Sequence, residues 1–205
     1  RYWADRQIFP SSATFSYDEL VTRARQTSFL VPGLTLVIRD ERGLPGTPGA
    51  DGPVEETFRH DGGTADFVEF LGQDTAVTDT WLLRGSGDFL ETVQQLDDQG
   101  HLTPVEVTRT CEVDIALRWG IGYETELRSF VNIIATPKGG THLAGFEQSL
   151  LKVVRKQIEL NARRLKLTGK GGKEKIEKDD VVAGLTAVVT VRLPEPQFEG
   201  QTKEV

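Results

Sequence analysis

Few residues have the type and spacing to do chemistry, and each of these has a simpler structural reading. Residues 169–173 (Gly-Lys-Gly-Gly-Lys) lack both the hydroxyl residue and the preceding strand of a phosphate-binding Gly-x-x-x-x-Gly-Lys-Ser/Thr loop. Residues 85–87 (Gly-Ser-Gly) and 120–122 (Gly-Ile-Gly) lack the third glycine of a dinucleotide-binding turn, and we interpret both as hairpin turns. No Gly-x-Ser-x-Gly motif is present, which disfavours a self-contained serine hydrolase.

One histidine stands where a ligand or a catalytic base can occur. His142 follows Gly-Gly-Thr at a predicted strand-to-helix junction, and the N–H groups that open a helix can hold an anion. The same position suits a buried histidine that fixes a tight turn, and residue statistics favour that role. His60, His101 and the single cysteine, Cys111, are too scattered for a structural zinc site. We therefore expect no metal ligands in this chain.

A basic segment interrupts an acidic chain. The chain has 24 Lys and Arg against 31 Asp and Glu, a net charge of −7, which excludes a histone-like DNA-binding protein. Residues 152–178 nevertheless contain ten Lys or Arg and three Glu, a local charge of +7. Such asymmetry points to a polyanionic partner, since Lys and Arg on a helix neutralise phosphates without reading bases. The alternative is the solvated face of a long helix.

Length and composition limit the class of protein further. The 205 residues, 38% of them hydrophobic, are enough to bury a core, and no stretch has the roughly 18 uncharged apolar residues of a membrane span. One cysteine and no signal peptide favour the reducing cytoplasm. Methionine is absent even from position 1, so we expect the chain to be a piece of a longer protein.

Hydrophobic periodicity predicts an α/β chain. Ser16 and Glu19 have capping-box spacing and should begin a helix that ends near Leu30. Apolar spacings of three and four predict the longest helix from Thr141 to about Leu165. Residues 112–119 and 127–135 are predicted to pair across the turn at 120–122. The remaining predictions are strands at 1–9, 34–38, 57–60 and 185–193, helices at 65–71 and near 179–180, a flexible loop at 43–53, and short strands with hairpins over 77–107.

Strings along the whole chain, in order, resemble a known family. They are similar to the second, or transducer, domain of the ATPase subunit of bacterial type IIA topoisomerases, the DNA gyrase B and topoisomerase IV E subunits. The matching strings are Tyr2-Trp3-Ala4-Asp5, Ala24-Arg25, Phe29 to Thr35, Arg39 to Arg42, Phe58 to Gly63, Val113 to Trp119, Ser129 to Asn132, Thr136 to His142, Gly145-Phe146, Gly184 to Val188 and Pro196 to Lys203.

The resemblance implies a fold and a domain plan. Residues 1–205 would form a single transducer domain between a preceding ATP-binding domain of the GHKL type and a following TOPRIM cleavage domain. Its α/β fold would resemble ribosomal protein S5 domain 2, with a mixed sheet, one long helix and a left-handed crossover. The predicted order of strands and helices is compatible with that fold.

The resemblance also implies how the chain takes part in ATP hydrolysis. In the family, a Gln-Thr-Lys loop of the transducer reaches the γ-phosphate of ATP that is held, with Mg²⁺, by the preceding domain. The matching residues are Gln201 and Lys203, both in the ATP-binding set, and Lys203 is also the catalytic residue. Departure of the γ-phosphate would release this loop and rotate the domains. The water-activating glutamate and the Mg²⁺-binding asparagine belong to the preceding domain, so this fragment alone is expected to be inactive.

The family further implies partners. These are duplex DNA, the preceding ATP-binding domain, a second copy of the subunit and a DNA-cleaving subunit of the gyrase A or topoisomerase IV C type, without a membrane. The residues expected to face DNA are Lys152, Arg155, Lys156, Arg163 and Arg164.

Some positions depart from the family pattern. The chain has Asn-Ile-Ile-Ala at 132–135 where Asn-Asn-Ile-Asn is common, and Lys138 where an acidic residue is common. The 43–53 loop and the long 77–107 segment favour the topoisomerase IV type. Two other readings stay open at this point: a stand-alone nucleic-acid-binding α/β module with an S5-like fold, and a scaffold without a ligand.

Overall fold

The computed structural model describes residues 5, 7–10, 12–43, 52–97, 99–165 and 176–198. The chain divides into two compact units, Arg1–Gly63 and Thr64–Val205, each with its own apolar core. That residues 1–205 form a single transducer domain stays a prediction. The predicted strand at 1–9 falls partly outside the described residues, and its described end is a turn closed by a 2.8 Å hydrogen bond from the Phe9 N–H to the Asp5 carbonyl. The loop predicted at 43–53 also lies mostly outside them.

The first unit is one helix packed on a hairpin. Helix α1 (Tyr17–Leu30) begins as predicted, because the Ser16 hydroxyl accepts a hydrogen bond from the Glu19 N–H. Strands β1 (Leu36–Asp40) and β2 (Val54–Phe58) pair antiparallel. Tyr17, Val21 and Ala24 of α1 form the core with Phe58.

The second unit is a five-stranded mixed sheet with three helices among its described residues. Its elements are α2 (Thr64–Leu71), β3 (Trp81–Leu96), β4 (Leu102–Trp119), β5 (Glu126–Val131), β6 (Ile134–Ala135), α3 (Thr141–Leu160), α4 (Lys178–Val182) and β7 (Leu185–Arg192). The strand order is β3-β4-β7-β5-β6, and only β5 and β7 are parallel. The mixed sheet and the long helix are confirmed, whereas the S5-like arrangement and the left-handed crossover stay predictions.

Two sequence-based predictions are wrong, and both concern strand partners. Within residues 77–107, where short strands were predicted, Trp81–Leu96 form one unbroken 16-residue strand, β3, which pairs along its whole length with β4. Residues 85–87 therefore lie inside a strand rather than in a turn. The chain reverses between β3 and β4 beside a 2.9 Å hydrogen bond from the Asp97 N–H to the His101 carbonyl. Residues 112–119 and 127–135 do not pair, because β7 lies between β4 and β5.

The physical reason for the second error is the composition of β7. The strand is a continuous run of apolar and Thr residues that is buried on both faces from Leu185 to Val191. A strand of that kind is stable only when both of its edges are paired, which places it at the centre of a sheet. Leu185, Ala187 and Val189 then pack with Leu117 and with Phe146 of α3. Among the described residues no helix is both long and apolar enough to cross a membrane.

A glycine-rich junction closes the sheet where β4 ends and β7 begins. The Gly120 N–H donates to the Gly184 carbonyl at 2.9 Å, and Gly184 has a left-handed φ of +72°. The Gly122 N–H donates to an Asp74 carboxylate oxygen at 2.9 Å. Arg118, only 5% exposed, donates to the Asp74 carbonyl at 3.1 Å, which ties β4 to the chain that follows α2.

Candidate functional site

The segment that leads to the predicted phosphate-contacting loop leaves the sheet from its central strand. β7 ends at Arg192, and residues 193–198, the exit segment, continue without regular secondary structure. Gln201 and Lys203 lie outside the described residues, so their roles stay predictions. The structure does describe the contacts that hold the exit segment.

An asparagine at the end of β5 holds the first residue of the exit segment. The Asn132 side-chain NH₂ donates to the Leu193 carbonyl at 2.7 Å, and the Leu193 N–H donates to the Asn132 side-chain oxygen at 3.0 Å. We call these two bonds the Asn132 clamp. Asn132 has a left-handed φ of 47°, a conformation that asparagine tolerates better than most residues. The clamp therefore fixes the exit segment to the tight turn that joins β5 and β6.

An arginine in the long hairpin holds the exit segment from the other side. Arg109 of β4 donates to the Glu91 carboxylate at 3.1 Å and forms an ion pair with Glu195 at 3.0 Å. Because Arg109 is mostly buried and held by Glu91, its guanidinium offers a fixed position to Glu195. The exit segment is thus attached to both β5 and the β3/β4 hairpin within three residues, Leu193 to Glu195.

The exit segment also borders a large apolar cavity. This cavity, of about 910 Å³, lies between helix α3 and the sheet strands β3, β4 and β7. Its lining includes Phe89, Val113, Phe146 and Val191, together with Pro196 of the exit segment. A displacement of the exit segment would therefore change the packing between α3 and the long hairpin.

His142 takes the structural role that residue statistics favour. Its Nε2 lies 3.2 Å from the Thr136 hydroxyl, which is in turn 2.7 Å from the Ser129 hydroxyl. Burial lowers the pKa of His142 below its ordinary value, so the ring is neutral at pH 7. The histidine therefore links the end of β6 to the start of α3. Within the described ranges, no three His, Cys, Asp or Glu side chains are grouped to hold a metal ion.

The five residues predicted to face DNA fall into two groups. Lys152 and Lys156 are exposed one turn apart on α3, and Arg163 and Arg164 are exposed just beyond its end at Leu160. We call these four residues the basic face. Arg155 differs from them, because its guanidinium donates to the Ile176 carbonyl and pairs with Glu177 at 3.8 Å. That contact fastens α3 to the chain before α4, and a DNA-facing role of all five residues stays a prediction.

The residues that hold the exit segment are not identifiable as such from the sequence. Asn132 is part of a matching family string, Ser129 to Asn132, but that match does not show that its side chain holds the exit segment. Arg109 and Glu195 belong to no motif. A single signal exists for Asn132, which is an asparagine at the end of an alternating strand, where a left-handed turn residue is common. Nothing local marks Arg109 and Glu195, because their partners are distant in sequence.

Comparisons with known proteins agree with the resemblance in the sequence. The sequence profile of the DNA gyrase B family matches residues 63–205, starting at the boundary of the two compact units. The DNA gyrase B protein of Treponema denticola is 36% identical over 99% of this chain and 27% of its own length. The DNA gyrase B protein of Campylobacter jejuni is 35% identical over 98% of this chain and 22% of its own length.

A solved structure supports the same assignment. The 43K ATPase domain of Thermus thermophilus gyrase B, determined in complex with an aminocoumarin, matches with a TM-score of 0.64 and 28% identity. The match covers 96% of this chain and 44% of that chain. The chain spans about a quarter of the length of the Treponema and Campylobacter relatives. Because the family profile matches more than half of its residues, the chain belongs to the DNA gyrase B family.

Proposed function

We propose that this chain is the transducer module of an ATP-dependent type II DNA topoisomerase subunit. It couples ATP binding and hydrolysis in a preceding GHKL domain to closure of a gate and passage of a DNA strand. Membership of the DNA gyrase B family and the family-like Pro196 to Lys203 string support this proposal. The other partners in the proposal are a second copy of the subunit and a DNA-cleaving subunit of the gyrase A or topoisomerase IV C type.

In this proposal Lys203 is the catalytic residue and Gln201 assists it. An ammonium group beside the γ-phosphate stabilises the charge that develops on the transferring phosphoryl group. The amide of Gln201 contributes a hydrogen bond to the same group and helps to report its presence. ATP and Mg²⁺ are held by the preceding domain, and we assign no metal ligand to this chain.

The observation that carries the proposal is the double attachment of the exit segment. Glu195, held by Arg109, is only six positions before Gln201 in the sequence. Six residues span at most about 20 Å when extended. A change in the position of the phosphate-contacting loop must therefore either alter the conformation of these six residues or move the part of the sheet to which the exit segment is attached. Two sets of contacts connect the exit segment to the sheet. The Asn132 clamp connects it to the end of β5, and Arg109 connects it to the long hairpin.

Replacing Asn132 by glycine tests this coupling. Glycine accepts the left-handed φ of 47°, so the substitution removes the two clamp bonds without adding backbone strain. At about 0.5–1.5 kcal/mol for each bond, we expect the free energy of unfolding of the chain to fall by about 1–3 kcal/mol. In the complete subunit we expect kcat for ATP hydrolysis to fall about tenfold with an unchanged Kd for ATP, since small misplacements of a positioned group are costly.

The matched control is Asn161→Gly. Asn161 also donates its side-chain NH₂ to a carbonyl, that of Gln157, but the bond is local and lies at the end of α3. This variant should retain wild-type kcat. If Asn132→Gly and Asn161→Gly hydrolyse ATP equally well, the exit segment does not position the phosphate-contacting loop.

The basic face gives the proposal its contact with DNA. The basic face has four cations in a chain whose net charge is −7. In the proposal, these cations lie on the surface of the subunit that faces the transported DNA duplex. The rival function, a stand-alone nucleic-acid-binding module, would use the same cations without any need for Gln201 and Lys203. ATP-dependent effects of the exit segment therefore separate the two functions.

Charge reversal on α3 tests the DNA contact. In the complete subunit, Lys152→Glu with Lys156→Glu should weaken duplex binding and leave the Kd for ATP unchanged. The slope of log K against log salt concentration should become shallower by about 0.9 for each phosphate that is no longer neutralised, or about 2 in total. The control, Arg59→Glu with Arg128→Glu, makes the same charge change at exposed arginines that pair with Asp61 and Glu126. An equal loss of DNA binding in both variants would show only a net-charge effect.

A further inference from the structure

The apolar cavity beside the exit segment is large enough for a small molecule. Its volume of about 910 Å³ lies in the range, about 300–1,000 Å³, that is usual for small-molecule sites. Helix α3 forms one wall with Phe146 and Leu150, and the strands β3, β4 and β7 form the opposite wall. The apolar side chains by which β3 lines it are exposed, Trp81 to 50%, Leu83 to 53% and Phe89 to 39%. Apolar side chains grouped and exposed in a concave surface are typical of a binding site.

Two glycines of β3 leave space in this cavity. Gly87 lies directly opposite Cys111 of β4, which lines the cavity. Gly85 lies opposite Val113, which also lines it, so both glycines are on the cavity face of the sheet. A Cβ on either glycine would meet nothing within 4 Å, and neither has a positive φ. Neither the backbone nor the described packing therefore requires glycine here, and glycine inside a strand suits a place where a ligand approaches closely.

The charged groups of the cavity favour a ligand without negative charge. The described lining contains one cation, Arg109, and two carboxylates, Glu91 and Glu195. Arg109 contacts both carboxylates, at 3.1 Å and 3.0 Å, so its charge is already balanced and the three groups together are negative. His142, which also lines the cavity, adds no charge at pH 7 because burial lowers its pKa. A phosphate or sulfonate group in the cavity would therefore be repelled, whereas a neutral molecule would not.

The single cysteine of the chain gives this cavity its own reporter. Cys111 lines the cavity and is half-buried, and burial raises the pKa of its thiol, as expected in apolar surroundings. Because the chain contains no other cysteine, the rate at which a thiol reagent modifies the chain reports on this cavity alone.

We propose that this cavity is a binding site for a small, neutral, largely aromatic molecule. Trp81, Phe89 and Phe146 offer rings against which such a molecule can pack, by stacking or edge to face. The few polar groups of the lining lie beside the exit segment and at the start of α3, where they can orient the ligand. The site uses neither Gln201 nor Lys203, and the proposal does not rest on the proposed function.

A matched pair of dyes tests the chemistry of the site. N-phenyl-1-naphthylamine is neutral, and 8-anilino-1-naphthalenesulfonate differs from it by one sulfonate group. Titration of the 205-residue chain into the neutral dye, followed by fluorescence, should give a Kd of about 1–100 μM, the range for a ligand of about 17 non-hydrogen atoms. The sulfonate should bind about tenfold more weakly or worse. Equal or tighter binding of the sulfonate, or no binding of the neutral dye, would overturn the proposal.

Filling the cavity from β3 tests its position. In Gly87→Leu the new side chain enters the cavity without meeting packed atoms, and leucine suits a strand better than glycine, so this variant should fold. The Kd for the neutral dye should rise about tenfold or more, because the dye and the leucine compete for the same space. The control Ser86→Leu adds the same side chain to the opposite face of the strand and should keep the Kd within about threefold of wild type. Equal dye binding by the two variants would place the dye elsewhere and contradict the proposal.

Alkylation of Cys111 locates the dye independently. At about ten times its Kd, the neutral dye should slow the reaction of Cys111 with N-ethylmaleimide about tenfold, because the reagent reaches the thiol only in the unoccupied fraction of the chain. Mass spectrometry measures the rate. An unchanged rate would show that the dye does not occupy the cavity.

The complete subunit distinguishes a small ligand from a segment of protein. We expect the neutral dye to bind the complete subunit with a Kd similar to that of the 205-residue chain. Binding by the 205-residue chain alone would mean that another part of the subunit fills the cavity, and the proposal would then be wrong. That result would leave the tests of Lys203 and of DNA binding unaffected, so it is separable from a failure of the proposed function.

Discussion

Replacing Lys203 by alanine in the complete subunit is expected to lower kcat for ATP hydrolysis by about 10²–10³-fold, the usual cost of losing one preorganised group that stabilises transition-state charge. ATP binding should survive, because the ammonium acts mainly on charge that develops during transfer of the phosphoryl group. Steady-state hydrolysis and equilibrium ATP binding, measured on the same preparations, separate the two effects. A fall in affinity without a fall in kcat would assign Lys203 to ground-state binding instead.

The control for this prediction is another lysine of the same chain. Lys178 forms a surface ion pair with Glu147 at 2.8 Å and is assigned no part in hydrolysis or DNA binding. Lys178→Ala should keep the wild-type kcat, because exposed ion pairs contribute little to stability. Wild-type turnover by Lys203→Ala would count decisively against its catalytic role and would leave the Asn132 clamp without a functional purpose.

Replacing Gly184 by alanine is expected to lower the free energy of unfolding of the 205-residue chain by about 2–5 kcal/mol. Two costs add. The left-handed φ of +72° penalises any Cβ by about 1–2 kcal/mol. The Cβ would also lie 2.8 Å from the Gly120 carbonyl oxygen and closer still to that of Gly122, an overlap that costs about 1–3 kcal/mol. Both neighbours are backbone atoms of the junction between β4 and β7, so they cannot rotate away.

A second glycine provides the matched control. Gly145 lies inside α3, and a Cβ there would meet nothing within 4 Å. Gly145→Ala should therefore stabilise the chain by about 0.5–1 kcal/mol, since alanine favours a helix interior over glycine. Urea unfolding of both variants measures the contrast. Equal effects of the two substitutions would show that the junction at Gly184 relaxes freely.

Local signals identified several elements correctly. Ser16 and Glu19 predicted the start of α1, where the Ser16 hydroxyl accepts a hydrogen bond from the Glu19 N–H. The run of residues after Gly184 predicted a strand at 185–193, and the structure has β7 at Leu185–Arg192. These signals depend on residues within a few positions of one another, so the sequence contains all the information that fixes them. The family membership also came from the sequence, because it rests on the family profile that matches residues 63–205.

Strand partners and long-range contacts required the tertiary structure. Residues 85–87 have the composition of a turn, yet they lie inside β3. The residues before and after them all pair with β4, and this pairing outweighs the weak strand preference of the two glycines. The residues on either side of 120–122 look like partners by alternation, yet β7 comes between them because it needs two paired edges.

The attachment of the exit segment depends on the same kind of contact. Asn132 and Leu193 are 61 positions apart, and no periodicity connects them. Arg109 and Glu195 are separated still further in sequence. In a folded sheet, proximity is decided by which strands exchange hydrogen bonds, and that choice depends on burying both faces of β7 at once. Local sequence signals therefore identify most of the helices and strands and the family, whereas the packing of the sheet decides which residues hold the segment that leads to Gln201 and Lys203.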